Sequence, residues 1–278
     1  MTEPLQGAGG FVARLYAAAR RNDSLVCVGL DPELEKIPAH LRGLAQPVFE
    51  FNRQIIDATA EYACCFKPQF AHYAALGIED QLLATIRHIH ERHPGLPVIL
   101  DSKRGDIGST AAKYAQESFG RYGADAVTVN PYLGFDSIDP YLKWQDRGVI
   151  VLCRTSNPGA RDFQDLESGG RRLYRHVAER VARDWNAGGN CMLVIGATYP
   201  EELAEIRAVV GAMPFLVPGV GAQGGDVAAA VRAGRTADGL GMVLNSSRGI
   251  IYAGSGEGFA EAARAATRAL RDEINRYR

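Results

Sequence analysis

The sequence has little net charge and no long hydrophobic run. Its 31 basic and 32 acidic residues give a formal net charge of −1, and no basic tract stands out along the chain. This balance disfavours a nucleic-acid or membrane-surface role, because both rely on clustered lysine and arginine. No apolar run approaches the roughly 20 residues that span a bilayer, and residues 1–10 lack the basic-then-apolar pattern of a signal peptide. We therefore expect a cytoplasmic protein with no membrane and no nucleic-acid partner.

The sequence also lacks paired cysteine motifs. Its five cysteines lie inside apolar, strand-like runs and include no C-x-x-C pair; they are Cys27, Cys64, Cys65, Cys153 and Cys191. An odd number of such cysteines is typical of reduced, buried thiols in a cytosolic protein. No histidine accompanies a serine or cysteine at a predicted strand end, so acyl transfer by an activated nucleophile lacks support.

Short β-rich runs alternate with amphipathic segments along the chain. Eight runs predict strands, near Leu25–Leu30, Ala63–Lys67, Val98–Lys103, Ala126–Asn130, Val149–Arg154, Met192–Ala197, Phe215–Pro218 and Gly239–Leu244. The segments between and after them predict helices, at Val48–Tyr62, Ile78–His93, Ser109–Arg121, Arg171–Ala187, Glu201–Val210, Asp226–Ala233 and Gly258–Tyr277. This alternation indicates a parallel sheet, and at 278 residues its economical closure is a (β/α)8 TIM barrel.

We expect Phe11–Arg21 to form an extra N-terminal helix before the barrel. No linker or low-complexity segment divides the chain, so we expect a single domain over residues 1–278. The alternative architecture is an open, doubly wound parallel sheet.

The segment Leu100–Thr110 places charged side chains at the end of a buried strand. Asp101 and Lys103 are two residues apart, so on an extended strand they project from the same face. Asp106 follows in a tight, glycine-containing turn. Carboxylates crowded against a lysine at this position predict a catalytic site whose pKa values are set by mutual repulsion and attraction.

Polar residues also follow the other predicted strands, where a barrel builds its active site. They are Asp31, Lys67, Asn130, residues 155–157, residues 219–225 and residues 245–248. Three acids and two bases then form an alternating array: Asp31, Lys67, Asp101, Lys103 and Asp106. Such an array can hold a carboxylate beside an ammonium in a dry pocket, which suits stabilising a carbanion and delivering a proton to it.

Residues 218–226 contain G-x-G-x-x-G, the fingerprint of dinucleotide sites, between a predicted strand and a helix. The motif comes too near the end of the chain for a second nucleotide-binding half, and the acid about twenty positions on, Asp238, begins the next strand rather than ending it. We favour a barrel-type phosphate grip, made by backbone N–H groups and a helix N-terminus with Arg248 as the cation. A purely structural glycine turn is a further alternative.

His88, His90 and His93 form H-x-H-x-x-H in a helical segment that ends before Pro94. Helix positions two apart face different sides, so His88 and His90 cannot easily share a metal ion. We interpret the three histidines as a solvated helix end and expect no metal at the site.

The spacing Asp101-x-Lys103-x-x-Asp106-Ile107-x-x-Thr110, with Lys67 upstream, resembles the signature of the orotidine 5'-phosphate decarboxylase family. Further motifs are similar to those of the extended-chain subgroup, type 2. They lie at residues 66–69, 129–134, 155–160, 196–200, 217–225 and 245–248. The resemblance runs from about residue 25 to residue 253, and Ser102 and Ser109 stand where alanine and asparagine are expected.

The resemblance implies a (β/α)8 barrel that needs no cofactor and converts orotidine 5'-phosphate to UMP and CO2 in pyrimidine biosynthesis. Lys103 would donate a proton to C6, and Asp101 would face the substrate carboxylate. Lys67 and Asp31 would hold the charge array and bind ribose hydroxyls.

The resemblance further implies contacts to the rest of the nucleotide. Ser156 would contact the pyrimidine, and Gln223 would close over phosphate and base. Arg248 would bind the phosphate. In a homodimer, the residues that complete the neighbouring site would be Asp106, Ile107 and Thr110.

Three other functions stay open. A sugar-phosphate decarboxylase or aldolase-like synthase shares D-x-K-x-x-D but needs Mg²⁺ and an extra acid near the second strand, for which Glu61 is the candidate. A non-catalytic nucleotide-binding barrel would tolerate loss of the array. A Schiff-base aldolase would use a lysine of lowered pKa, whereas Asp101 beside Lys103 argues for a raised one.

Overall fold

The computed structural model describes residues 9–220 and 225–278. Within these ranges eight parallel strands form one sheet: β1 Val26–Leu30, β2 Cys65–Pro68, β3 Ile99–Arg104, β4 Ala126–Val129, β5 Gly148–Arg154, β6 Cys191–Ile195, β7 Phe215–Pro218 and β8 Met242–Ser246. Their order is β2-β1-β8-β7-β6-β5-β4-β3. The outer strands β2 and β3 meet through the bridges Phe66–Val98 and Gln69–Asp101, so the ring closes. The predicted TIM barrel is confirmed and the open sheet is wrong.

The helices of the described chain surround this barrel. They are α1 Phe11–Arg21, α2 Ala39–Arg42, α3 Pro47–Thr59, α4 Phe70–Ala74, α5 Glu79–Arg92, α6 Gly108–Ala115, α7 Phe135–Leu142, α8 Leu173–Arg180, α9 Pro200–Val210, α10 Val227–Gly234, α11 Arg248–Ile251 and α12 Phe259–Asn275. The expected N-terminal helix is α1. Two π-helical segments, Gln116–Arg121 and Val181–Trp185, extend α6 and α8. The first ends where the sequence predicts, whereas residues 171–172, predicted to begin a helix, pair as a short antiparallel strand with residues 167–168.

The strands are buried on both faces because side chains fill the barrel on one side and helices cover the other. Every residue of β1 and β6 is buried, and both strands are built from aliphatic residues, cysteine, methionine and glycine. The five cysteines are buried and unpaired, as the sequence predicts. Among the described helices, none is long and apolar enough to cross a bilayer.

Asp125 ties several elements together at the amino-terminal end of the barrel. Its carboxylate accepts hydrogen bonds from Arg14 of α1 at 3.1 Å and from the Val98 backbone N–H at 2.9 Å. His90 Nε2 of α5 lies 2.9 Å from Asp125 Oδ2, the oxygen that also accepts the hydrogen bond from Val98. Burial alone would raise the pKa of Asp125, but these partners lower it. The ionised carboxylate therefore anchors α1 and α5 at the end of the barrel away from the strand carboxyl termini.

The expectation of a solvated histidine cluster is wrong. His88 and His93 turn toward Asp57 of α3, with Nε2 atoms 2.7 Å and 2.8 Å from its Oδ1, whereas His90 faces Asp125. The three imidazoles are only 12–22% exposed, because α5 packs against α3 and the barrel end. The expectation that His88 and His90 face different sides is confirmed.

Candidate active site

Charged side chains meet at the carboxyl ends of β1, β2 and β3. Asp101 Oδ2 accepts a hydrogen bond from Lys67 Nζ at 2.8 Å, and Asp101 Oδ1 accepts one from Lys103 Nζ at 2.7 Å. The Thr128 hydroxyl of β4 donates to the same Asp101 Oδ1 at 2.8 Å. Asp31, after β1, adds a second carboxylate oxygen 3.8 Å from Lys67 Nζ. The structure thus brings together four of the five residues of the expected array.

Lys103 reaches Asp101 through an irregular part of β3 rather than along a regular strand. Its φ is +47°, in the left-handed region that non-glycine residues rarely adopt. The pairing of β3 with β4 shifts register between Leu100 and Arg104, which marks a bulge. The Lys103 backbone N–H donates to Thr128 Oγ1 at 3.0 Å and fixes this conformation. Bulges re-aim side chains near active sites, and strain of about 1–3 kcal/mol is tolerated where the surroundings hold it.

Lys67 and Asp101 keep their charges at neutral pH. Burial alone would lower the pKa of Lys67, but the Asp101 and Asp31 carboxylates outweigh burial and raise that pKa well above its ordinary value. Burial would likewise raise the pKa of Asp101, yet Lys67 and Lys103 hold it well below its usual range. A Schiff base needs an amine that gives up its proton readily, so the geometry disfavours that chemistry at Lys67.

A cleft of about 390 Å³ opens over the array. Four residues of the array line it, namely Asp31, Lys67, Asp101 and Lys103. The other walls are Glu33, Gln69, His72, Thr128, Val194, Leu216, residues 218–220 and residues 245–248. Within the described chain, Asp31 Oδ1 is buried and accepts no hydrogen bond. A buried acceptor without a donor is costly, so Asp31 is suited to receive a hydroxyl group from a bound molecule.

Ser156 lies in the loop after β5, beside the end of β6. The two segments approach so closely that a Cβ placed on Gly196 would lie 2.8 Å from Ser156 Cβ. Arg154, only 1% exposed, holds the base of this loop through ion pairs of 3.3 Å to Asp165 and 3.8 Å to Glu202. Arg154 was not predicted to belong to this framework, although an arginine at the end of an otherwise apolar strand was a visible signal.

The two ends of the glycine-rich loop after β7 lie close together. Gly219 has φ +95°, and the Gly225 backbone N–H donates to the Gly219 carbonyl at 3.1 Å. The dinucleotide alternative is wrong, since this loop belongs to a barrel. At the helix N-terminus that was predicted to meet the anion, the Asp226 carboxylate accepts a hydrogen bond from the Ala229 N–H at 3.1 Å, so one of the helix N–H groups is already satisfied. Gln223, expected to close over the substrate, lies outside the described residues.

Arg248 stands where the phosphate-binding prediction needs a cation. It is the first residue of α11, directly after β8, and its side chain is exposed at the wall of the cleft. Gly219 and Val220 line the same wall. This part of the cleft can therefore receive an anionic group.

Asp106, Ile107 and Thr110 lie outside the cleft of their own chain. Asp106 Oδ1 accepts a hydrogen bond from the Ile107 N–H at 2.8 Å, and the Ile107 side chain is 54% exposed. Thr110 is exposed in the first part of α6. The structure does not bring these three residues to Asp101 and Lys103.

Two cleft residues escaped the sequence analysis. Thr128 contacts the array, whereas Asn130, the residue singled out on that strand, accepts a hydrogen bond from the Tyr132 N–H at 3.0 Å and caps the next turn. His72, which the sequence analysis did not single out, lines the cleft with Nδ1 3.1 Å from the Pro32 carbonyl. Thr128 sits inside an apolar strand, where a lone hydroxyl was the available signal.

Glu61, the extra acid that the sequence offered for the Mg²⁺-dependent alternative, is not in the cleft. Glu61 is 53% exposed and pairs with Arg264 of α12 on the outside of the barrel. Its position removes the metal ligand that the sequence offered for that alternative.

Known proteins share this fold and sequence. The model of the "Orotidine 5'-phosphate decarboxylase / HUMPS family" matches residues 24–264. Curated proteins named orotidine 5'-phosphate decarboxylase are 62% identical in Azoarcus sp. (strain BH72) and 59% identical in Dechloromonas aromatica (strain RCB); each match covers 96% of this chain and 99% of the relative. The solved structure of Leishmania donovani OMP decarboxylase is 40% identical, with a TM-score of 0.85 over 97% of this chain and 98% of that one.

The family model spans most of the chain, and the relatives match it nearly end to end. The chain belongs to the orotidine 5'-phosphate decarboxylase / HUMPS family.

Proposed function

We propose that this chain decarboxylates orotidine 5'-phosphate to UMP and CO2 in pyrimidine biosynthesis, as a carboxy-lyase that uses no cofactor. The observation that carries the proposal is the Asp101 carboxylate held between the Lys67 and Lys103 ammonium groups in the cleft. Family membership and the names of the curated relatives support it. The single-domain barrel over residues 1–278 and a cytoplasmic location belong to the same proposal, and the five buried free thiols suit a reducing compartment.

The charge array matches the chemistry of the reaction. The bond between C6 and the carboxylate carbon breaks, CO2 leaves, and the electron pair stays on C6 as a carbanion that the ring stabilises poorly. A Lys103 ammonium beside C6 stabilises this charge and then transfers its proton there. Asp101 positions Lys103 and places its own negative charge next to the leaving carboxylate. Lys67 keeps Asp101 ionised.

Asp31 and Arg248 line the cleft and suit two of the remaining substrate contacts, whereas Ser156 and Gln223 are assigned from the resemblance to the family. Asp31 Oδ1, buried without a donor among the described residues, accepts a hydrogen bond from a ribose hydroxyl. Arg248 binds the phosphate, Ser156 contacts the pyrimidine, and Gln223 closes over phosphate and base. Binding energy gained at the phosphate thereby helps to position C6 against Lys103.

Replacing Arg248 with alanine tests the phosphate site. We expect kcat/KM for orotidine 5'-phosphate to fall at least about 30-fold, because losing one partner of a charged hydrogen-bonded pair costs about 2–5 kcal/mol. Arg235→Ala is the matched control, since Arg235 is exposed at the end of α10 that precedes β8, away from the cleft. Unchanged kcat/KM in Arg248→Ala would overturn the phosphate assignment.

Asp106, Ile107 and Thr110 complete the site of a second subunit in a homodimer. Their position outside their own cleft and the 54% exposure of Ile107 support this arrangement. Mixing Lys103→Ala and Asp106→Ala subunits should restore activity to about a quarter of the sites, because half of the dimers are hybrids and each hybrid has one intact site. Two variants that stay as inactive after mixing as before would contradict the shared site.

A further inference from the structure

Three metal-ligating side chains meet on the outer surface of the barrel, between α3 and α5. His88 Nε2 and His93 Nε2 lie 2.7 Å and 2.8 Å from the same atom, Asp57 Oδ1. The ligand atoms of all three residues lie within 4.8 Å of one another. We call these residues the Asp57–His88–His93 cluster. It lies at the carboxyl ends of α3 and α5, which lead into β2 and β3, so it is at the opposite end of the barrel from the cleft.

The cluster is more buried and has more packing partners than an ordinary surface ion pair. The His88 side chain is 12% exposed, and its ring packs edge-on against Phe49 with centroids 6.1 Å apart. Arg53 Nη1 lies 3.5 Å from Asp57 Oδ2, so Oδ1 is the oxygen turned to both imidazoles. Arg53 also pairs with Glu50 at 2.9 Å, which offsets its charge. Neighbours that orient the ligands in this way are a regular part of protein metal sites.

We propose that the Asp57–His88–His93 cluster binds one divalent transition-metal ion, with Zn²⁺ as the best match. Two imidazoles and one carboxylate suit Zn²⁺, whereas Mg²⁺ and Ca²⁺ prefer oxygen ligands throughout. The 40% exposure of Asp57 leaves room for a water as the fourth ligand. The bound ion joins the end of α3 to the end of α5.

Each contact between Asp57 Oδ1 and an imidazole nitrogen needs only a small adjustment to accept the ion. Tetrahedral Zn²⁺ with bonds of about 2.0–2.1 Å holds its ligand atoms about 3.3 Å apart. The two N–O contacts must therefore lengthen by about half an ångström, which rotation of the partly exposed Asp57 carboxylate can supply. Each imidazole then offers an unprotonated Nε2, so binding releases protons and weakens in acid.

Other Zn²⁺ ligands in the described chain are poorly placed to compete. His90 faces Asp125 on the other side of α5, and the five cysteines are buried. His40 is exposed on α2 and provides a matched control for removing an imidazole outside the cluster.

The test is calorimetric titration of Zn²⁺ into chelator-stripped, dialysed protein, with Co²⁺ absorption as a second readout. We expect one ion per chain, a visible Co²⁺ spectrum of tetrahedral intensity, and a higher unfolding temperature when Zn²⁺ is present. His93→Gln and His88→Gln should each weaken binding at least about tenfold, the smallest loss usual for disturbing even the outer surroundings of a metal site. His40→Gln should bind as the unmodified chain does.

Several outcomes would overturn the proposal. They are the absence of stoichiometric binding, equal affinity in His93→Gln and the unmodified chain, or an equal loss in His40→Gln. Circular dichroism of each variant checks folding, and Asp57→Ala gives an independent loss of one ligand if a histidine variant misfolds. Decarboxylation should not depend on the ion, because the cluster lies away from the cleft; this keeps the metal proposal separable from the proposed function.

Discussion

Replacing Lys103 with alanine should lower kcat for orotidine 5'-phosphate at least about 10⁴-fold while UMP still binds. General acid catalysis contributes about 10²–10⁴-fold, and one preorganised charge contributes about 10²–10³-fold, and Lys103 supplies both. The fold should survive, because the Lys103 side chain is 43% exposed and Asp101 keeps its bonds to Lys67 and Thr128.

The measurement is single-turnover decarboxylation together with UMP affinity. Lys143→Ala is the control, since Lys143 is 71% exposed and pairs with Asp139 of α7, four residues earlier. A Lys103→Ala variant that turns over at a near-normal rate would remove Lys103 as the proton donor. Loss of UMP binding with full structure would instead assign it a binding role.

Replacing Asp101 with asparagine should lower both activity and stability. The substitution leaves the Lys67 ammonium, 4% exposed, with only the Asp31 carboxylate at 3.8 Å. Breaking a buried ion pair on one side costs about 3–5 kcal/mol, and we expect a loss of that order in the free energy of unfolding at pH 7. Asp139→Asn removes an exposed ion pair and should cost well under 1 kcal/mol.

The pH dependence of this loss has a definite sign. The folded-state pKa of Asp101 lies below its unfolded value, so its stabilisation is fully present above the unfolded pKa of about 3.9 and disappears as the pH falls toward the folded value. Urea denaturation should therefore show a constant gap between the two proteins from pH 7 to pH 5, and a smaller gap below about pH 4. A gap that grows on acidification would contradict the charge assignment.

Much of the fold follows from the sequence pattern. Each of the eight predicted strands corresponds to a strand of the barrel, because buried parallel strands read as short continuous apolar runs bounded by polar turns. Polar residues at the ends of those runs, such as Lys67 and Asp101, therefore lie at the same end of the barrel, where the strands have their carboxyl termini. Because the parallel strands of a barrel end at one face, the array could be predicted from the strand positions alone.

The parts that escaped prediction depend on contacts between distant segments. The bulge at Lys103 is held by a hydroxyl on the next strand, and no local pattern indicates a left-handed lysine. His88 and His93 are paired through Asp57, more than 30 positions away, and only packing of α3 on α5 reveals it.

The most direct test of the account is decarboxylation of orotidine 5'-phosphate by chelator-treated protein, followed by ultraviolet absorbance and product analysis. We predict full conversion to UMP and CO2 without added metal, and no further acceleration when Mg²⁺ is restored. No conversion under either condition would contradict the proposed function. Conversion only after Mg²⁺ is added would contradict the metal-independent charge array and favour the chemistry of the metal-dependent barrels.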